Sequence, residues 1–441
     1  MTFSVLGTDT DGNTVTIDQS SRREGLYIIG ATGTGKSTLI ENLILQDIAQ
    51  GLGVCLLDPH GDVVNRVIER LPTRLDDVIL LNLADQDSCF GLNLLDCANP
   101  QDTLAVQYTV NQVMHVFDRL FDINRGTPLL SYYMRNCAHT IIANPGYTLA
   151  DIPLLLSDEQ CRRKLVAHVT DTNVLLFWTH FDQLRPLDRR REVSAILNKI
   201  GQFLQPLLEN IVGQATSTLD FTQIMEERKI LLVRLDRRLD NMTTLIGSII
   251  IAQILNAAYS RASVPLNKRK QFNLYVDEFQ CFATEDFATL LTETRKFGIA
   301  TTVAHQRRDQ LDTLHKGATL TAENLVTFRV NELDAEKLAE QFTSISSTEE
   351  ETYDDKVHQI ANDLVGLAHL TARIRLKEQS SEHITIIKSE QGLPLIALRE
   401  RIERIKAQNR KERYTRKRED VEEEIRTRQE TCTKPTNHSQ G

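Results

Sequence analysis

The string LYIIGATGTGKST, residues 26–38, decides how this chain is read. Four apolar residues, Leu26-Tyr27-Ile28-Ile29, lead into a glycine-rich turn, and an amphipathic stretch from Thr38 to Gln50 follows. Strand, loop and helix in that order, with G-x-x-x-x-G-K-S across Gly30–Ser37, form a Walker A loop. Glycines let successive backbone N–H groups turn inward around a phosphate without a clashing Cβ. The start of the helix adds the positive end of its dipole to the same spot. Lys36 then reaches the β- and γ-phosphates of a nucleoside triphosphate, and the Ser37 hydroxyl ligates Mg²⁺. The expected nucleotide-binding residues are Gly30, Ala31, Thr32, Gly33, Thr34, Gly35, Lys36, Ser37 and Thr38, with ATP and Mg²⁺ as cofactors.

Downstream, Gly53-Val-Cys-Leu-Leu57 is a continuous apolar run of the kind a buried parallel strand needs. It ends in Asp58-Pro59-His60-Gly61-Asp62, followed by a helix-like stretch to Leu71 and a strand at Asp77–Asn82. This alternation predicts an α/β domain with a parallel sheet. The sheet resumes with Lys229–Leu235, a long helix (Asn241–Arg261) and Gln271–Val276, and further strands are expected at 299–303, 324–329 and 371–376. Upstream, Phe3–Gly7 and Thr14–Ile17 flank Asp11-Gly12 and read as a β-hairpin.

Between Gln101 and Leu219 the chain reads as helix after helix, the last from Arg189 to Leu208. Pro128, Pro145, Pro153, Pro186 and Pro206 fall at or near helix ends, and the lone Trp178 reads as core. The expected division is a nucleotide-binding domain in two parts, 1–100 and 221–385, around an all-α insertion at 101–220, with a charged tail at 386–441. That tail, which includes Arg410–Arg418, reads as a solvated helix or an interaction arm and ends in a polar stretch expected to be disordered.

The second half of the site is Leu274-Tyr-Val-Asp277-Glu278, a buried strand delivering two carboxylates at its C-terminal end, as in Walker B. Asp277 is expected to hold Mg²⁺ with Ser37, and Glu278 to orient and deprotonate the attacking water. Asp58, which also ends a strand, is the next candidate for the base. Gln306 follows the strand ending at His305, so it should emerge beside the carboxylates and sense the γ-phosphate. Arg295 carries a fixed fork of donors suited to an arginine finger, or else is a surface helix charge. His305 is given no role.

Composition bounds the rest. The 441 residues, 41% of them apolar and 25% charged, describe an ordinary globular chain with room for two or three domains. Seven cysteines without a C-x-x-C pair are expected to be reduced cytosolic thiols, with Cys55 and Cys281 as small core residues in strand-like runs. No signal peptide is expected, since Met1–Ser4 shows no basic region followed by an apolar block, and the apolar stretch 245–258, interrupted by polar residues, is expected to be too short and too polar to span a bilayer. A net charge of −9 excludes a generally DNA-coating protein, though not a local basic surface.

GATGTGKS, DPHGD at 58–62, GLNLLD at 91–96, YVDEFQ at 275–280 and TRKFG…AHQ at 294–306 together resemble the FtsK/HerA superfamily of ring-forming DNA-pumping ATPases. The resemblance is closer to the ATPase part of TraG/TraD-type conjugative coupling proteins. It implies a RecA-like P-loop motor with a parallel-dominated sheet and an all-α insertion, assembled as a homo-hexamer that moves DNA through a central channel. Glu278 and Gln306 would act in the subunit's own site and Arg295 in trans. Relaxase or secretion-channel proteins are implied partners, in the cytoplasm and without a direct membrane span. The alternatives are an ATPase powering protein secretion or complex assembly, a nucleotide-gated binding module without turnover and, least favoured, a small-molecule P-loop kinase.

Overall fold

The computed structural model describes residues 3–97, 99–121, 128–282, 285–343, 353–377, 379–387 and 393–434. Contacts divide the chain into two compact units. The first takes 1–81, 221–238 and 250–408; the second takes 82–220, 239–249 and 409–441.

The first unit is built on an eleven-stranded sheet. Its strands are β1 (Phe3–Thr8), β2 (Thr14–Asp18), β3 (Leu26–Ile29), β4 (Gly53–Asp58), β5 (Val78–Asn82), β7 (Ile230–Arg234), β8 (Phe272–Val276), β9 (Ile299–His305), β10 (Asn324–Thr327), β11 (Thr371–Leu376) and β12 (Gln379–Thr385). A short β6 (Ser88–Cys89) belongs to the second unit. The spatial order is β2-β1-β12-β11-β10-β3-β9-β8-β4-β7-β5. From β10 to β7 every neighbouring pair is parallel. β3, β4, β8 and β9 are buried along their whole length, which explains their uninterrupted apolar sequence. The strands toward β2 pair antiparallel, and β11 shows the buried/half-buried alternation of a strand covered on one face.

Register aligns the C-terminal ends of the parallel strands. Ile29 lies opposite His305, Val276 opposite both Val303 and Leu57, and Asp58 opposite Arg234. The residues that follow these ends, Gly30, Gln306 and Asp277, therefore emerge at one edge with Asp58. β9 sits between β3 and β8, so whatever follows His305 is held between the P-loop and the acidic strand.

No strand occurs in 101–220 among the described residues. Trp178 is buried against Phe177 and Phe181, and its indole N–H donates to Thr140 Oγ1 at 2.7 Å. The helix expected over Arg189–Leu208 ends at Phe203, and a new one starts at Pro206, because the residue before a proline is driven out of the helical region.

The charged C-terminal stretch contributes a helix to each unit. Leu395–Lys411 buries Leu398 and Ile405 in the first, where the Arg401 guanidinium donates to the carbonyls of Ile68, Glu69 and Leu71 at the end of the helix Asp62–Arg70. In the second, β13 (Arg416–Lys417) pairs antiparallel with β6, and the helix Arg418–Thr433 buries Val421, Ile425 and Cys432. Arg428 there meets the buried Asp151 at 3.0 Å. Residues 435–441, the expected disordered end, lie outside the described residues.

Cys432 is bonded to Cys161 across 271 residues, which corrects the expectation of seven reduced thiols. Two packed helices bring these sulfurs together, and sequence spacing carries no trace of that approach. Cys55 is buried in β4 as expected, whereas Cys281 lies half-buried on a 3₁₀ turn rather than in a strand. The apolar stretch near 250 lies in the helix Asp240–Ser260, within one residue of its expected bounds. Asn241–Ser263, with a mean hydropathy of 1.5, is long and apolar enough to cross a membrane by length and composition, and 78% of its apolar window is buried inside the protein.

Candidate functional site

The loop from Gly30 to Gly35 wraps the C-terminal end of β3. Its conformation is held from outside by Ala31 N–H, which donates to Arg329 O at 2.8 Å, and from within by Thr34 Oγ1, which donates to Ala31 O at 2.8 Å. Gly35, at φ 126, admits no side chain, since a Cβ would lie 2.9 Å from the Phe328 ring and 3.0 Å from Leu370 Cδ2. The helix Lys36–Ala49 starts directly after it, with its first N–H groups aimed at the loop. Lys36 is buried, and its Nζ donates to the carbonyls of Gly30 at 2.6 Å and Ala31 at 3.1 Å. Burial holds its pKa below the ordinary lysine value, while the nearby Glu278 and Asp277 oppose that shift.

A cavity of about 690 Å³ opens over this loop. Thr32, Gly33, Gly35, Lys36, Ser37 and Thr38 border it on the P-loop side, and Asp58, Asp277, Glu278 and Gln306 on the other. Asp277 is buried, and burial, with Asp58 and Glu278 close by, pushes its carboxyl up to about 7 against the pull of Lys36. Glu278 has φ 47 and ψ 50, a left-handed backbone at a non-glycine residue. Such strain persists only where the surroundings enforce it. The enforcing contacts are visible: Glu278 N–H donates to Asp277 Oδ1 at 3.0 Å, and Gln306 and Gln280 each donate an amide N–H to its carboxylate at 2.6 Å.

Gln306 also accepts from Thr32 Oγ1 at 2.8 Å, so one side chain joins the P-loop to the acidic strand. His305, before it, is fully buried, stacks on Tyr27 and meets the Phe279 ring edge-on. Burial, reinforced by Arg308, lowers its pKa to about 3, so the ring stays neutral and packs as structure. Asp58 is not free to act as a base. One oxygen accepts from His60 N–H at 2.9 Å and the other from Val63 and Val64 N–H at 2.8 and 3.1 Å, which caps the helix Asp62–Arg70.

Arg295 is not brought to this cavity. It lies on the 3₁₀ turn Thr294–Phe297, ahead of the N-terminal end of β9, half-exposed and ion-paired with Glu24. The seven residues of β9 put it roughly 20 Å or more from Gln306. Sequence reasoning missed four side chains on the cavity wall: buried Glu41, the two arginines that pair with it (Arg66 at 3.0 Å and Arg70 at 2.7 Å), and His369. Glu41 falls one helical turn beyond Ser37, a spacing that could have revealed it. Nothing local marks His369.

Residues 11–390 match the family model described as the type IV secretion-system coupling protein DNA-binding domain. The chain belongs to this family. Solved structures with a similar fold include the plasmid coupling protein TrwB in complex with ADP and Mg²⁺, at 16% identity over 88% of this chain and 90% of that one, with a TM-score of 0.58. The unbound monoclinic form of TrwBdeltaN70 aligns at 16% identity over 88% and 91%, with a TM-score of 0.59. VirB4 of Thermoanaerobacter pseudethanolicus aligns at 15% identity over 88% and 96%, also at 0.59. No curated protein matches the chain. These likenesses establish for this coupling-protein chain the P-loop fold with a mostly parallel sheet and a helical unit.

Proposed function

We propose that this coupling-family chain is an ATP hydrolase that drives DNA through a ring of its own copies. The observation that carries the reading is the convergence of Lys36, Asp277, Glu278 and Gln306 on one cavity at the ends of three adjacent parallel strands. The residues fit a magnesium-bound triphosphate. Gly30 and Gly35 of the cradle leave no room for a Cβ beside Phe328, Lys36 is parked on loop carbonyls that a phosphate would replace, and Ser37 and Asp277 both line the cavity. Among the described residues no three carboxylate, imidazole or thiol groups form a protein-only metal cage. Mg²⁺ is suited by one carboxylate and a hydroxyl shared with phosphate oxygens. When bound, the ion would neutralise charge developing on the phosphates.

The chemistry assigned to the chain is narrow. Backbone N–H groups of the loop and Lys36 bind the phosphates, and Thr38 stands behind them at the helix start. Glu278, held by two amide N–H donors, takes the proton of the attacking water. Gln306 spans Thr32 and Glu278, so its two hydrogen bonds must rearrange when a γ-phosphate arrives, which suits a sensor. Arg295, too far from its own cavity, is assigned to a neighbour's site in a ring, most simply a hexamer. TrwB was solved with ADP and Mg²⁺, and the matched family model is that of a DNA-binding domain; both support ATP, Mg²⁺ and DNA as this chain's ligands. Relaxase or secretion-channel partners, and a place in the cytoplasm, belong to the same reading.

The test is ATP turnover with no DNA, single strands and duplex of several sequences across a salt series. Phosphate-carried binding should lose affinity steeply, with a slope of log K against log salt of about −0.9 per duplex phosphate neutralised. The same DNA should stimulate hydrolysis. The net charge of −9 favours one second reading, an ATPase that powers protein secretion, and a rate indifferent to every nucleic acid would select it.

A further inference from the structure

The cavity has one acidic end. Asp58, Asp277 and Glu278 crowd the side facing β4 and β8, and the reacting end of a triphosphate belongs there. The nucleoside half must leave the loop along another wall. One choice is the wall of Glu41, Arg66 and Arg70, whose charges are already paired with one another. The other is the short strap ahead of β11.

That strap is fastened to the P-loop. His369 Nδ1 donates to the Gly33 carbonyl at 2.9 Å, and Leu370 N–H donates to the Thr34 carbonyl at 2.9 Å. A carbonyl only accepts, so Nδ1 carries the hydrogen and the plane of the imidazole is set by the loop itself. Leu370, held at φ 61, is buried beneath Gly35, so strap and loop keep a fixed relation. The His369 ring is exposed on the cavity wall. His60, the other imidazole there, stands at the acidic end within 3.5 Å of Arg237.

We infer that His369 is the platform on which the purine ring of the bound nucleotide stacks. This rests on the nucleotide site proposed above. A ring pre-oriented by a hydrogen bond loses little freedom when a base settles on it, and base–aromatic stacking tolerates any π-face. The binding energy from this contact is the same before and during hydrolysis, so it affects occupancy rather than rate.

The experiment is calorimetric titration of the full chain with Mg²⁺-ADP and, separately, with inorganic tripolyphosphate. His369→Ala should weaken ADP about tenfold and leave tripolyphosphate unchanged, and His369→Phe should restore ADP. Unchanged ADP affinity in His369→Ala overturns the inference. So does an equal loss for both ligands, which would make His369 a support for the loop alone. Lys36→Ala separates the two levels of argument. It should lose both ligands, and if it kept both, the phosphate site itself would be misplaced.

Discussion

The amide of Gln306 donates to Glu278 at 2.6 Å while its oxygen accepts from Thr32 at 2.8 Å, so the residue after β9 ties the P-loop to the acidic strand. Gln306→Ala cuts that tie without touching either ligand group. We expect ATP binding close to normal and kcat lower by about 10²-fold. Steady-state kinetics with a parallel binding titration checks this, and a loss confined to KM would make Gln306 a binding residue instead.

Glu278→Gln keeps the shape of the side chain and removes the base. Nucleotide should bind and persist, and turnover should fall about 10²-fold or more. Asp58 offers no fallback, because its oxygens are occupied by the backbone of 60–64. Residual hydrolysis near wild type would therefore require a base from a neighbouring subunit.

Asp277 predicts a pH dependence of stability. Its carboxyl sits at about 7 in the nucleotide-free fold against 3.8 ordinarily. The folded protein thus holds a proton that the unfolded chain releases above about pH 4, and stability falls as pH rises from there through about 7. Denaturation midpoints on either side of that window should differ in the wild type and converge in Asp277→Asn. Binding of Mg²⁺-ATP near neutral pH should expel the proton, readable as a buffer-dependent binding enthalpy. A midpoint shift that survives in Asp277→Asn assigns the effect to another group.

Arg295→Ala should bind ATP almost normally yet lose about 10³-fold in rate. Mixed with Lys36→Ala it should regain activity, since hybrid interfaces pair an intact loop with an intact arginine. Full activity in a dilute monomer would reduce Arg295 to the surface partner of Glu24 that the single chain shows.

The Cys161–Cys432 bond predicts a response to reductant. Closing so long a loop restricts the unfolded chain by about 2–5 kcal/mol. Thermal midpoints should drop on reduction, and Cys432→Ser should show the lower value in either condition. Equal midpoints for the oxidised and reduced wild type would show the bond to be thermodynamically idle.

What could be read in advance follows from how local the signal is. The Walker A glycines, the apolar run before Asp277-Glu278 and the strand before Gln306 each announce themselves within about a dozen residues, because a parallel strand and its loop are short and continuous. β12 was missed because its polar sequence, Gln379-Ser-Ser-Glu-His, has no apolar run and gains strand form by pairing with β11 and β1. The second C-terminal helix hides Val421 and Ile425 among charges, and they are buried in a cluster with Cys89, more than 300 residues away. His369 owes its position to a carbonyl of the P-loop, 336 residues earlier in the chain.

The left-handed backbone at Glu278 has a consequence for anyone engineering this protein. A screen for thermal robustness would favour asparagine or glycine there, since either adopts that conformation at lower energy than glutamate. The hardier protein would have lost the carboxylate assigned to water activation. Directed evolution should therefore be run with turnover as a second filter, because position 278 is where durability and work are set against each other.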